Sequence, residues 1–271
     1  MGLQFTKTYR RALLQACVAS DACLDAIGVS SPAVLLLLGH MRSGSTLLLH
    51  LLLTNPQIAA VGERNAVYAS RADFARLAME ARLARRSLFG RIRFVVDQVN
   101  HSHLTPVPAL LTDARVRVLF LLRRPEASLS SLLDLSRSYY NSTWSVAKAV
   151  DYYVTRLEGL VRLADGIATP DRAAFICYEN LLEAPETTLD ALRGWLRLGG
   201  PLATRYQMQP FTRSRGDPGT TIGAGTIVRK APFKDDRLGE ADLLPARRAY
   251  ELCRQALARF ALDPTSPRSG H

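Results

Sequence analysis

The chain has 271 residues, 48% of them hydrophobic and 22% charged, with 17 Gly and 14 Pro. That composition excludes collagen, coiled coil and intrinsic disorder, and the length suffices for one large domain with a sizeable core. The 35 Lys and Arg against 24 Asp and Glu give a formal charge of +11, and 31 of those cations are arginines, whose planar donor fork suits phosphate and sulfate oxygens, although GC-rich codon usage also produces such a bias.

Residues 3–28 follow a 3.6-residue apolar period through Leu13, Leu14, Val18, Leu24 and Ile27, which predicts a helix broken at Ser30-Ser31-Pro32. The run 33–38 is wholly apolar, too short for a helix, and followed by Gly39, as expected of a strand buried on both faces. Residues 39–45 read as a loop and 46–54 as a helix closed by Asn55-Pro56. Basic helical patterns follow at 72–83 and 85–93, then a strand at 94–96 and a polar segment at 97–103. Residues 115–122 form the second clear strand signal, and a helix opens at Pro125 and runs through Leu135. A polar, aromatic loop at 139–143 precedes an amphipathic helix at 146–164. A third strand is expected at 173–178 and a helix at 185–196, ended by Gly199-Gly200-Pro201. Gly216, Gly219, Gly223 and Gly225 make 210–227 a long surface loop, before a last helix at 240–261 and a tail at 263–271 expected to fray. Strands alternating with helices, without repeat or linker, indicate one α/β domain over 1–271 with a mostly parallel sheet flanked by helices.

The longest apolar runs, 34–38 and 47–53, are far shorter than the ~18 to 20 residues of a membrane span, so no integral anchor is expected. No charged-then-apolar leader opens the chain, and Met1-Gly2 with Thr6 meets only the loose myristoylation pattern. The four cysteines, at 17, 23, 177 and 253, form no Cys-x-x-Cys pair, so neither zinc nor a disulfide framework is expected and a cytoplasmic location is the simplest reading.

Gly39-His-Met-Arg-Ser-Gly-Ser-Thr46 has the frame of a phosphate-binding loop between a strand and a helix. Backbone N–H groups at 42–46 are expected to converge on an anion, aided by the helix dipole. The lysine that meets a triphosphate is replaced by Ser45, and the cation is instead Arg42. A magnesium carboxylate is expected at the end of a neighbouring strand in a triphosphate enzyme. Here the strand at 116–122 ends in Arg123-Arg124, which repels a metal ion and attracts a second anion.

These residues carry a resemblance. The loop with its Arg42-Ser43-Gly44-Ser45-Thr46 resembles the 5′-phosphosulfate loop of sulfotransferases that use 3′-phosphoadenylyl sulfate (PAPS), in the version found in carbohydrate and tyrosylprotein sulfotransferases. Residues 121–131 resemble that family's 3′-phosphate motif, in which an Arg at the strand end and a Ser eight positions on hold the phosphate; Arg123 and Ser131 have that spacing. Cys177-Tyr178-Glu179-Asn180-Leu181 with Pro185 resembles the segment whose tyrosine lies beside the adenine, here Tyr178. The resemblance spans 33–196 in order and implies a P-loop-like parallel sheet, PAPS as donor, 3′,5′-bisphosphoadenosine as product, and no metal.

Sulfuryl transfer needs a cation on the leaving side and a base for the acceptor proton. On the resemblance, Arg42 is that cation, flanked by Ser45 and Thr46. Glu63, in Gly62-Glu63-Arg64 and 21 positions after Arg42 as in the tyrosylprotein branch, is the candidate base. Asn100-His101-Ser102-His103-Leu104 resembles the base-bearing stretch of small-molecule sulfotransferases, with both His101 and His103 open as alternatives. The tyrosylprotein branch has a catalytic lysine near this point, where Asp97 and Gln98 stand, so a protonated histidine is a candidate replacement. Arg229 and Lys230, and more loosely Arg213-Ser-Arg-Gly-Asp217, are further candidates to touch the nucleotide, and the basic stretch 82–93 can attract an acidic acceptor. The reading is thus a PAPS-dependent sulfotransferase acting on peptidyl tyrosine, with an acidic peptide as partner and a dimer compatible with it. The alternatives are a carbohydrate or natural-product hydroxyl as acceptor, and an ATP- and Mg-dependent small-molecule kinase. A nucleic-acid binder has only the charge in its favour, because no recognition motif is present and aromatics are 7%.

Overall fold

The computed structural model describes residues 31–85, 92–138, 143–167, 169–213, 220–229 and 235–262. The helix expected at 3–28, the tail at 263–271, Lys230, residues 86–91 of the stretch 85–93, 139–142 of 139–143 and 214–219 of 210–227, with most of the Arg213–Asp217 candidate, lie outside the described residues.

Five strands, β1 (Ala33–Leu38), β2 (Ile58–Ala60), β3 (Phe94–Val99), β4 (Val116–Leu122) and β5 (Ala173–Cys177), form a parallel sheet in the order β2-β3-β1-β4-β5. β1 occupies the centre, with Leu36 opposite Asp97 of β3 and Val118 of β4. Its alternate side chains enter two cores: Leu36 and Leu38 on one face, Leu35 and Leu37 on the other. An all-apolar strand is what that double burial requires.

Helices α1 (Ser45–Leu52), α2 (Arg71–Ala84), α3 (Pro108–Leu111), α4 (Pro125–Ser138), α5 (Val146–Asp165), α6 (Tyr178–Glu183), α7 (Pro185–Leu196) and α8 (Glu240–Leu257) complete the regular structure among the described residues. α2, α4, α5 and α8 cover the Leu36 face through residues such as Leu77, Leu129, Leu157 and Leu257. α1 and α7 cover the other through Leu48, Leu52, Leu192 and Trp195. The connection leaving β1 runs to β2 on one side of it, whereas the connection leaving the neighbouring β4 runs to β5 on the other. Loops leaving neighbouring strands diverge at such a point and leave a crevice at the carboxyl ends of the strands.

Several sequence expectations need correction. The strand expected at 94–96 extends into the polar segment: Asp97, Gln98 and Val99 continue β3 and are buried. Ladder bonds to β1 hold them in the sheet, overriding their composition. α1 begins at Ser45 and ends at Leu52, shorter than the expected 46–54, because Asn55 turns the chain: its Oδ1 accepts the Gln57 N–H at 2.9 Å and its Nδ2 donates to the Gly200 carbonyl at 2.7 Å. Residues 92–93 are not helical but lead into β3, and the short edge strand β2 gave no readable periodicity. Tyr178 does not close β5; it opens α6. The described parts of 210–227 are two short 3₁₀ turns, Pro210–Arg213 and Thr220–Ala224, pinned to the body by a bridge between Arg205 and Thr226. The final α-helix ends at Leu257, with a 3₁₀ turn, Ala258–Phe260, after it.

Candidate functional site

Arg42, Glu63, His101, His103, Arg123 and Tyr178 follow the carboxyl ends of β1, β2, β3, β4 and β5. After β1 the chain enters the loop 39–44, in which Arg42 has φ 67° and Gly44 φ 92°. Both are left-handed, and only the glycine takes that conformation without penalty. Gly44 is required for a second reason: a Cβ there would come within 2.2 and 2.4 Å of Tyr178 ring carbons. Tyr178 therefore packs directly on the loop, and the Arg123 guanidinium lies 4.6 Å from its ring centroid.

Arg123, at the end of β4, donates from Nη1 to the Arg42 carbonyl at 2.9 Å, which holds the strained residue in place. Arg42 in turn donates from Nε to Ser131 Oγ at 2.7 Å. The loop cation and the two residues expected at a 3′-phosphate thus form one cluster, so Arg42 in this conformation sits on the Ser131 side. The expected convergence of amides 42–46 is narrower than the motif implies, because the Ser43 N–H is engaged by the His40 carbonyl at 3.1 Å. Ser45 and Thr46, at the start of α1, retain the N–H groups that a helix leaves without intrahelical acceptors.

Glu63 follows Gly62, whose φ of 87° turns the chain beyond β2. Asn100, just past β3, donates from Nδ2 to Glu63 Oε1 at 3.1 Å and to Ser45 Oγ at 3.1 Å. Burial raises the Glu63 pKa above the usual carboxylate range, with the Asn100 bond acting in the opposite sense. The next residue, Arg64, is anchored through its backbone N–H to Asp97 Oδ1 at 3.2 Å and through its guanidinium to Glu80 at 3.0 Å. Asp97 also accepts from the Tyr68 hydroxyl at 2.5 Å, and burial pushes its pKa up to about 6 despite these bonds.

His101 precedes and His103 lies in the 3₁₀ turn Ser102–Leu104 after β3, with ring centroids 5.3 Å apart. His103 is exposed; His101 is half-buried, and burial, then His103 and Arg156, lower its pKa. A histidine held neutral in this way is poorly suited to replace a lysine as a cation. Arg229 donates to the carbonyls of Leu182 at 2.6 Å and Glu183 at 3.2 Å, at the end of α6, which engages its guanidinium with the protein itself. Lys230 lies outside the described residues.

Four site residues escaped the sequence analysis in their roles. Asn100 was read only as the first residue of a histidine stretch. His40 is wholly buried, donating from Nδ1 to the Met41 carbonyl at 2.9 Å and accepting the Arg123 N–H at Nε2 at 3.3 Å; burial above all pushes its pKa down to about 3. Tyr152 links two segments, accepting the Met41 N–H at 2.8 Å and donating to the Asn100 carbonyl at 2.9 Å. Arg156, 1% exposed, donates from Nε to the Gly39 carbonyl at 2.7 Å and from Nη2 to the Val99 carbonyl at 2.5 Å. Burial lowers its pKa to about 10, so it stays charged at neutral pH. One signal was available: Arg156 stands among Ala149, Tyr153, Leu157 and Leu160 on the apolar stripe of α5.

Ser43 Oγ and Asn100 Oδ1 are buried without a hydrogen-bond partner, beside Gly39 at the base of the loop. Buried orphan polar atoms beneath an anion loop fit a polar ligand. Among the described residues no group of three or more His, Cys, Asp or Glu is placed to hold a metal ion, Cys177 and Cys253 are free thiols, and no helix is long and apolar enough to cross a membrane.

No protein-family model matches the sequence, and no curated protein does. Solved structures with a similar fold include three sulfotransferases. The mouse sulfotransferase SULT7A1 complexed with PAP is 14% identical, over 69% of this chain and 64% of that one, with TM-score 0.45. The sulfotransferase domain from the curacin biosynthetic pathway is 16% identical, over 72% and 83%, with TM-score 0.45. The sulfotransferase from Alicyclobacillus acidocaldarius is 16% identical, over 68% and 89%, with TM-score 0.44. The chain spans less than two thirds of the mouse structure.

Proposed function

We propose that this chain is a PAPS-dependent sulfotransferase that moves a sulfuryl group to an acceptor hydroxyl, with peptidyl tyrosine the favoured acceptor class. The observation that carries the reading is the cluster in which Arg123 bonds the Arg42 carbonyl and Arg42 bonds Ser131. Arg123 after β4, Ser131 of α4 and Arg42 of the loop together suit a phosphate additional to the one taken by the loop, and a 3′-phosphorylated nucleotide has both.

The donor supplies a sulfuryl group held in a phosphosulfate anhydride, with a bisphosphorylated adenosine as leaving group. Arg123, Ser131 and Arg42 hold the 3′-phosphate, and Tyr178 packs where an adenine can stack. The Ser45 and Thr46 amides and hydroxyls, with the α1 dipole, meet the 5′-phosphate as the bond between its oxygen and sulfur breaks. Glu63 accepts the proton of the acceptor hydroxyl as that oxygen bonds to sulfur. Its burial supports this role, since a raised pKa makes it a better base near neutral pH. The kinase alternative has Ser45 in place of the loop lysine, and Asn100 and Arg123 where the neighbouring strands would carry a magnesium carboxylate.

Calorimetric titration tests the donor. The protein should bind 3′,5′-bisphosphoadenosine without Mg, and Arg123→Ala should weaken that binding at least tenfold while changing adenosine 5′-phosphate affinity little, as loss of a charge-assisted phosphate contact requires. Equal losses for both nucleotides, or Mg-dependent binding of ATP alone, would overturn the reading. Transfer of radiolabelled sulfate to tyrosine peptides, oligosaccharides and phenols then separates the acceptor classes.

A further inference from the structure

Asn100 is held by three hydrogen bonds. Its side-chain nitrogen faces both Glu63 Oε1 and Ser45 Oγ, each at 3.1 Å. Its backbone carbonyl accepts from Tyr152, whose oxygen accepts the N–H of the loop residue Met41. Its Oδ1 is buried at the base of the loop, 3.3 Å from where a Gly39 Cβ would stand. The orientation of the amide follows from its neighbour: an ionised carboxylate only accepts, so the NH₂ group must face Glu63. One proton of that group reaches the carboxylate and the other the serine. Three positions earlier, on β3 itself, Asp97 takes the Arg64 N–H, so β3 and the residue that follows it grip the Glu63 turn at two points.

We infer that Asn100 is a positioning residue that orients the Glu63 carboxylate and ties it to Ser45 at the head of the phosphate loop, fixing the distance between base and donor. This rests on the sulfotransferase reading for its consequence in catalysis, but the geometry it describes can be tested without activity. Asn100 is the side-chain hydrogen-bond partner that lowers the Glu63 pKa against the effect of burial. The other titratable groups nearby are Arg64, paired with Glu80, Tyr68 and Asp97, bonded to each other, and His101.

The experiment is a carbon-13 NMR titration of side-chain carboxyls in glutamate-labelled full-length protein, with the Glu63 resonance assigned by its loss in Glu63→Gln. Asn100→Ala should raise the Glu63 midpoint by about half a pH unit or more, because burial remains while the donor is lost. Asn100→Asp keeps the shape but brings a second carboxylate, and should raise it further. In sulfuryl-transfer assays, both variants should lower kcat by about tenfold to a hundredfold, with the dissociation constant for 3′,5′-bisphosphoadenosine kept within about threefold, as expected for a misplaced base. A Glu63 midpoint unmoved in both variants overturns the inference, as does a loss confined to nucleotide affinity. If the wild-type protein binds no bisphosphate, the functional reading fails while the titration still decides the role of Asn100.

Discussion

At the scale of single residues, Glu63 combines three properties of a general base: partial burial, one neutral donor on its carboxylate, and a raised pKa. Replacing it by Gln keeps the shape and the hydrogen-bonding capacity but removes the proton acceptor. Turnover should fall by about 10² or more with 3′,5′-bisphosphoadenosine affinity retained, measured by steady-state kinetics and calorimetry. Because the folded pKa is raised, Glu63 stays protonated at pH values where an ordinary glutamate is already ionised, and on the proposed role it is inactive there. The acid limb of the kcat profile should therefore lie above the usual carboxylate range and move upward again in Asn100→Ala. A limb unchanged by Glu63→Gln, with residual activity high, would transfer the role to His101 or His103. Arg42 shows what a residue type in a motif leaves open. Its place in the loop was legible, yet its side chain meets Ser131, 89 positions away.

At the scale of elements, β3 and α5 are the frame of the site. Arg156 of α5 bridges the carbonyls that end β1 and β3, and Tyr152 of the same helix bridges the loop and Asn100. On β3, Asp97 binds the Glu63 turn and is held in a low-dielectric setting that favours its protonated form. Its pKa of about 6 exceeds that of an unfolded aspartate, so the folded state binds more protons between about pH 4 and 6. Stability from this group is therefore present at low pH and declines as pH rises through that window. Asp97→Asn cannot ionise and should remove this decline, gaining on the order of 2 kcal/mol relative to the wild type between pH 4 and 7. Urea unfolding across that range checks it; a stability difference independent of pH would show that Asp97 titrates normally.

At the scale of the whole molecule, the parallel sheet sets the loops from β1, β3, β4 and β5 at one edge, so that a bound nucleotide would contact segments from across the chain. A ligand that binds only the folded state stabilises it by RT ln(1 + [L]/Kd), about 2.7 kcal/mol at a hundredfold excess over Kd. Thermal unfolding should therefore shift upward by several degrees with 3′,5′-bisphosphoadenosine at that excess, and at the same ligand concentration the shift should fall by about half or more in Arg123→Ala. An equal shift with adenosine alone would mean that the phosphates contribute nothing, and would count against the cluster at β4.

The amino-acid sequence by itself determined the local features: the all-apolar β1, the glycine and hydroxyl residues of the loop, the Arg123–Ser131 spacing, and most helices. Each of these is written in the identity or period of neighbouring residues, and burial on one or two faces follows directly from it. Only the tertiary structure decided that Asp97 and Gln98 belong to a strand, that Arg156 points inward at two carbonyls, and that Asn100 stands between Glu63 and Ser45. Those outcomes depend on ladder register and on how helices dock over the sheet. They bring together groups far apart along the chain, and no local pattern records which of a strand's polar residues will face the loop of its neighbour.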